Sequence, residues 1–212
     1  MDAVHLDDTG FTSDFVLTYT GPALCLDIFK LPEKLHVALF LIPRGQGIPL
    51  HDHPNMTVLT KVLSGTMRLN SYTEQHEEQL TNTAFPRDAQ LNAHASSGLG
   101  TGIKSEAYRW FHPAPERFCT TSTDAWLLEP MDGNIHAVYA SPPGGLLFLD
   151  AILPPYAPHK QRSCTYFLPA RDATSSTRGG GTEAFQPQPA SYVPPCAIFD
   201  GSRLYRGKSV RA

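Results

Sequence analysis

The chain has 212 residues, 17% of them charged, and a formal net charge of −3. It lacks the basic balance that nucleic-acid binding draws on, and no apolar run approaches the ~18 residues needed to cross a bilayer. With 19 Pro and 16 Gly, the composition favours short strands and many turns over long helices.

Four cysteines, Cys25, Cys119, Cys164 and Cys196, lie far apart with no C-x-x-C pair. Free thiols in a reducing compartment are therefore expected rather than a disulfide framework. The N-terminus is acidic and has no signal-peptide core. These features predict a soluble cytoplasmic or nuclear chain, with neither nucleic acid nor membrane as partner, forming one domain over 1–212.

In chain order, residues 1–15 are polar and read as a ragged end. Strand-like segments are expected at 15–19, 23–29 and 36–42. The last is apolar on both faces, which marks a covered, central strand. Residues 45–57 follow, with His51-Asp52-His53 at their centre. In extended backbone His51 and His53 point one way and Asp52 the other. Two converging imidazoles are half of a metal site, although a pair of surface histidines explains a bare H-x-H equally well. A hairpin is expected over 58–72, turning at Ser64-Gly65. Residues 73–107 read as a polar insertion, a length of loop that is more often functional than core.

Further strands are expected at 108–111, 125–128, 134–140 and 146–152, the last two separated by the turn Pro142-Pro143-Gly144-Gly145. Short, regularly spaced strands predict an all-β sandwich or barrel. Asp150 shares a strand face with Leu146, Phe148 and Ile152. A carboxylate on an apolar face needs a partner or a task; a turn cap or a pair with Arg162 is the plain alternative. Residues 171–190 read as a flexible excursion. Short apolar stretches at 192–193 and 197–199 could close a sheet.

At this point the motifs carry a family resemblance. Gly45, His51-x-His53 and Gly65 are spaced like the first motif of the cupin superfamily, a double-stranded β-helix or jelly-roll barrel. Where that motif usually has a Glu ligand, this chain has Val58, so the resemblance implies a three-histidine metal site of His51, His53 and His136. Residues 48–73 (IPLHDHPNMTVLTKVLSGTMRLNSYT) and 134–167 (NIHAVYASPPGGLLFLDAILPPYAPHKQRSCTYF) resemble, in register, two blocks of the thiol dioxygenases. That family comprises the 2-aminoethanethiol dioxygenases and the plant cysteine oxidases. The length of the insertion resembles the animal enzymes more than the plant ones.

The resemblance implies one Fe(II) per chain and an enzyme that adds both atoms of O₂ to a thiol, giving a sulfinic acid. The substrate would be the N-terminal cysteine of a peptide or protein, or a small aminothiol such as cysteamine. A peptidyl substrate would make the enzyme an oxygen sensor of an N-degron pathway. With Val58 in place of Glu the protein ligands carry no charge, so the substrate thiolate supplies the anion, its pKa lowered from ~8.5 by the nearby dication. By position, Asp150 matches a carboxylate that would hold the substrate ammonium or orient an imidazole. Tyr156 matches a tyrosine over the site. Cys164 and Tyr166 match a C-x-Y segment whose two residues are crosslink candidates. Ordinary packing is the alternative for these last three residues. Arg44 is the nearest cation that could clamp a free carboxylate. A monomer is expected. The competing readings are an isomerase-type cupin or a dioxygenase of a carbon substrate, against which the absent Glu and the FLDAILPPY block argue, and a non-catalytic metal-binding cupin, against which the intact ligands and Asp150 argue.

Overall fold

The computed structural model describes residues 1–75, 109–169, 177–178, 181–189, 191 and 199–200, with backbone alone at 177–178 and 199–200. Two sheets carry the fold. One runs, edge to edge, through β14 (Phe199–Asp200), β1 (Leu24–Leu31), β2 (Leu35–Ile42), β10 (Leu146–Leu153), β4 (Thr57–Ser64) and β8 (Trp126–Leu128). The other runs through β11 (Phe167–Pro169), β13 (Thr182–Pro187), β6 (Arg109–Pro113), β5 (Met67–Glu74), β9 (Ile135–Ala140) and β3 (Gly47–His51). Beside that path, β7 (Arg117–Cys119) pairs with β5 and β12 (Thr177–Arg178) with β13. The arrangement is an all-β jelly-roll barrel, as the family resemblance implies.

The barrel core lies between the sheets. Ile42, Val62, Leu146 and Phe148 from one sheet meet Ile48, Met67, Leu69, Val138 and Ala140 from the other. β5 keeps the alternation of a strand with one covered face, Met67, Leu69 and Ser71 being buried and Arg68 and Asn70 less so. β2 and β10 are buried on both faces, and the structure gives the reason. Leu39, Leu41, Leu147 and Leu149 face outward and are covered by Val16, with Met1, Val4, Leu6 and Phe11 packed around them.

This cover corrects the expectation of a ragged 1–15 and a strand at 15–19. The segment contains a 3-10 turn, Leu6–Thr9, and a helix α1, Ser13–Thr18. The Thr12 hydroxyl caps α1 by accepting the Phe15 N–H at 3.3 Å. Six residues are too few for a helix stable alone, so the fully buried Val16 holds it in place. Pattern reading missed it because its apolar residues, Phe15, Val16 and Leu17, form one short run that fits a strand as well as a helix.

The 171–190 excursion also needs correction in part. Residues 182–187 form β13, between β11 and β6, and bury Phe185 among Phe111, Phe167 and Leu50. The expected insertion begins later than its sequence bounds, since β5 continues to Glu74; its residues 76–107 lie outside the described residues. β14 pairs in parallel with β1, which gives the tail its closing strand at Phe199; residues 192–198 lie outside the described ones. Cys119 and Cys164 are free thiols. Among the described residues no helix is long and apolar enough to cross a membrane.

Candidate metal centre

β3 carries His51 and β9 carries His136, and the two residues are direct antiparallel partners. Getting them opposite each other requires an irregularity. Gly47 pairs with Tyr139 and Ile48 with Val138, but the register then shifts by one before His51. Pro49 has no N–H to give to a ladder, and a bulge is where a strand tolerates that. The extra residue lets Ile48 and His51, three apart, both face the cavity, while Leu50 packs on the outer side with Phe111 and Phe167. Gly47 permits the close approach: a Cβ there would lie 2.3 Å from the Val138 carbonyl oxygen.

β3 ends at His51, and His53, in the irregular segment that follows, joins the group. Ring centroids are 4.9 Å apart for His51–His53, 4.6 Å for His51–His136 and 4.9 Å for His53–His136. One ring nitrogen from each residue lies within 4.8 Å of the others. All three side chains are buried.

Their protonation suits a cation. Burial holds His51 near a pKa of about 4, against hydrogen bonds to backbone that pull it up. Burial, then the neighbouring imidazoles, hold His53 and His136 well below the usual range. At neutral pH all three are uncharged and have a lone pair to give. His51 donates Nδ1–H to the Pro49 carbonyl at 2.8 Å, which leaves its Nε2 as a donor to metal. Tyr156 donates its hydroxyl to the Asp52 carbonyl at 2.8 Å and lies 2.9 Å from His53 Nδ1. Its single proton is then committed, so His53 donates Nδ1–H to the phenol oxygen and keeps Nε2 free. His53 Nε2 and His136 Nδ1 are buried with no hydrogen-bond partner. Unpaired buried polar atoms cost ~1–3 kcal/mol each, and coordination removes that cost. The residues present fit a metal ion held by neutral imidazoles, a donor set suited to Zn, Cu, Fe and Ni alike. Val58, at the position of the usual Glu, is fully buried against Met56, Leu128 and Ile152.

The triad opens into a cavity of about 170 Å³ between the sheets, walled by Phe40, Ile48, Leu69, Val138, Phe148 and other apolar side chains. Asp150, Tyr156, Cys164 and Tyr166 all line it. Asp150 is 6% exposed. Burial pushes its carboxyl up to about 7, opposed only by the Thr60 hydroxyl, which donates at 2.6 Å. It does not pair with Arg162, whose Nε donates to the Pro155 carbonyl. Cys164 is hydrogen-bonded to both Tyr156 and Tyr166, and burial pushes its thiol up to about 12. The rings of His51 and Tyr166 are 6.0 Å apart.

Three partners around the site, Thr60, Asn134 and Arg109, escaped sequence reading. Thr60 meets Asp150 through the β4–β10 register, which joins residues ninety positions apart. Asn134 bonds both the N–H and the carbonyl of His53 at 2.8 Å; its place two before His136 was the available signal. Asp52, pointing away from the cavity, accepts the Thr165 N–H at 2.7 Å and lies 3.6 Å from Arg109. Burial raises its pKa, against those two partners. Arg109 in turn donates from Nε and Nη2 to the two carboxylate oxygens of Glu74.

A model of the family PCO_ADO matches residues 12–187, most of the chain and all of the residues just described. The chain belongs to the PCO_ADO family. Two curated relatives illustrate its breadth. This PCO_ADO chain is 30% identical over 146 residues to the 2-aminoethanethiol dioxygenase of Mus musculus, covering 69% of this chain and 54% of that protein. It is 28% identical over 174 residues to plant cysteine oxidase 2 of Arabidopsis thaliana, covering 79% and 54%. The chain thus spans about half the length of the curated relatives it matches. Among solved structures, a double-stranded β-helix protein from Klebsiella pneumoniae is 14% identical with a TM-score of 0.40, covering 74% of this chain and 94% of that one.

Proposed function

We propose that the chain is an Fe(II)-dependent thiol dioxygenase that converts the N-terminal cysteine of peptides or proteins to a sulfinic acid, with cysteamine as the weaker substrate. The observation that carries this reading is the cavity itself. It combines three neutral imidazoles, apolar walls and one carboxylate, with no Lys or Arg among its described lining residues. Relatives named for dioxygenation of 2-aminoethanethiol and for cysteine oxidation support it.

The overall change is RSH + O₂ → RSO₂H, which balances without any further reductant. Held by His51, His53 and His136, iron would supply the point where sulfur and O₂ meet and the charge that favours a thiolate. The chain's own groups supply the rest. Asp150, buried without a cation, is the complement of a substrate ammonium, and the pairing would draw its proton off. In an N-terminal cysteine, as in cysteamine, the amine stands two carbons from sulfur, so one fixed carboxylate can orient both. Tyr156 keeps His53 in the Nδ1–H tautomer and its ring in place. Cys164, protonated at neutral pH because burial raises it, does not compete with the substrate thiol. A crosslink between Cys164 and Tyr166 would appear as a loss of two hydrogens in the intact mass.

A free amino-acid carboxylate would be buried without a partner, because Arg44 is exposed and outside the lining. An amide-linked cysteine avoids that penalty. Such a substrate would make the protein an oxygen sensor feeding N-degron proteolysis. The test is mass spectrometry after incubating the Fe(II)-loaded chain with Cys-initiating peptides, their N-acetylated forms, cysteamine and free cysteine. The expected product is a Cys-initiating peptide heavier by two oxygen atoms, with acetylation removing most turnover. Higher kcat/KM for cysteamine than for every peptide, or indifference to acetylation, would refute the substrate assignment.

A further inference from the structure

We infer that Asn134 is the positioning residue of the metal centre: its carboxamide replaces a missing rung of the β3–β9 ladder and thereby fixes His53 relative to His136. The inference rests on the metal reading above and concerns only how that centre is held.

The β3–β9 ladder ends with the pair His51 and His136. Continued in the same register, it would set His53 opposite Asn134. Two antiparallel residues facing each other in a hydrogen-bonded pair exchange both N–H···O=C bonds. Here the same reciprocal pair exists, but through a side chain. The His53 N–H donates to Asn134 Oδ1 at 2.8 Å, and Asn134 Nδ2 donates to the His53 carbonyl at 2.8 Å. Nδ2 also donates to the Pro130 carbonyl at 3.1 Å and lies 3.4 Å from that of Glu129. Asn134 is 8% exposed, so water does not replace these bonds readily. The ligand loop therefore stands one side-chain length away from the strand bearing His136, at a distance set by a rigid planar amide. Backbone pairing would draw the loop closer. A free loop would leave the His53 N–H unsatisfied and its carbonyl with the Met56 N–H alone, at 3.1 Å.

A purely structural asparagine would hold the 129–134 turn and nothing more, and one neighbour provides that control. The Thr73 hydroxyl accepts the Gly133 N–H at 3.1 Å and donates to Asp132 at 3.0 Å. It ties the same turn to β5 without touching a ligand residue. Asn134→Ala removes both bonds to His53. Asn134→Asp keeps the acceptor and turns a second oxygen toward three carbonyls.

The experiment titrates Co(II) into the metal-free full chain against a chromogenic chelator, and records the visible ligand-field bands and the Tm with and without Co(II). Both Asn134 variants should bind Co(II) about 10–100-fold more weakly than wild type, with shifted bands and a smaller Tm gain on loading. Thr73→Ala should lower the metal-free Tm and leave affinity and bands near wild type. Wild-type affinity and bands in either folded Asn134 variant would overturn the inference alone. So would failure of both to fold while Thr73→Ala folds, because the residue would then be a folding determinant. No Co(II) bound by wild type would overturn the metal reading, and this inference with it.

Discussion

Asp52 and Asp150 are both 6% exposed, one behind the ligand loop and one inside the cavity, yet their surroundings differ in kind. Asp52 sits against a backbone N–H and a guanidinium, and that guanidinium is itself paired with Glu74. Asp150 has a hydroxyl and, among the described residues, no cation. Burying a carboxylate leaves two stable outcomes, pairing or neutralisation. The rear region has completed its pairing within the fold. The cavity region keeps a carboxyl balanced near neutrality, a state that an arriving ammonium can resolve. The same residue type, equally buried, is framework in one place and a receptor in the other.

The largest expected effect tests whether the cavity depends on the triad. His136→Ala should lose most bound metal and all measurable turnover, since two imidazoles hold a first-row cation weakly. The Asp52 region should stay intact, with the metal-free Tm close to wild type because one buried, unpaired nitrogen is gone. Full metal occupancy in this variant, by elemental analysis, would contradict the assignment of His136 as a ligand.

The next effect is on stability. Burial raises Asp150 from 3.8 to about 7, so between those values the folded chain binds a proton that the unfolded chain has released. Stability owed to this group is present below about pH 4 and is lost as pH rises toward 7. At 1.36 kcal/mol per pKa unit the loss approaches ~4 kcal/mol. The three histidines act in the opposite sense, since their lowered values favour the folded state as pH rises. The difference between wild type and Asp150→Asn isolates the carboxyl. In metal-free protein the Asn variant should gain relative stability steadily from pH 4 to 7, measured by urea midpoints. A pH-independent difference would mean that Asp150 ionises at an ordinary pKa.

What the sequence makes legible follows from the range of each interaction. The parity of a strand shows that Asp150 shares a face with Phe148 and Ile152, and all three line the cavity. Parity brought His51 and His53 together, but His136 joined them only through the family resemblance, and the true route passes through a bulge at Pro49–Leu50 that parity does not contain. Thr60, Asn134 and Arg109 were invisible as partners, because each is joined to the site by strand register or loop packing across many residues. Helix α1 and strand β13 were missed for a related reason. Both are short: α1 is held by burial of Val16 into a cluster formed elsewhere, and β13 by pairing with β11 and β6 and by burial of Ala184 and Phe185.

A smaller effect separates the two aspartates in catalysis. Asp150→Asn should retain metal and lose about 10²-fold in kcat/KM for a Cys-initiating peptide, near the lower end of the cost of truncating one partner of a buried ion pair. Asp52→Asn keeps an acceptor for the Thr165 N–H and removes only the charge, so it should lose far less. Equal losses in the two variants would erase the distinction between receptor and framework.

The smallest effect probes whether the rear region is truly finished. Arg109 stacks over Phe167 at 4.9 Å while it faces Asp52 and Glu74. Arg109→Met keeps an apolar stem on that ring and removes the charge. The guanidinium is about one-third exposed, so its ion pairs are screened and the loss should be about 1 kcal/mol, or ~2–4 °C in Tm for a chain of this size. Without Arg109, burial of Asp52 is opposed only by the Thr165 N–H, so the carboxyl moves further up. The stability deficit of the variant should therefore widen with rising pH and shrink toward acid, where Asp52 is protonated in both proteins. Metal content and kcat should stay at wild-type values, since Thr165 and Tyr156 still anchor the ligand loop at residue 52. A fall in kcat as deep as that of Asp150→Asn, with metal retained, would show that charge behind the ligand loop takes part in the reaction, and the division between the two regions would have to be given up.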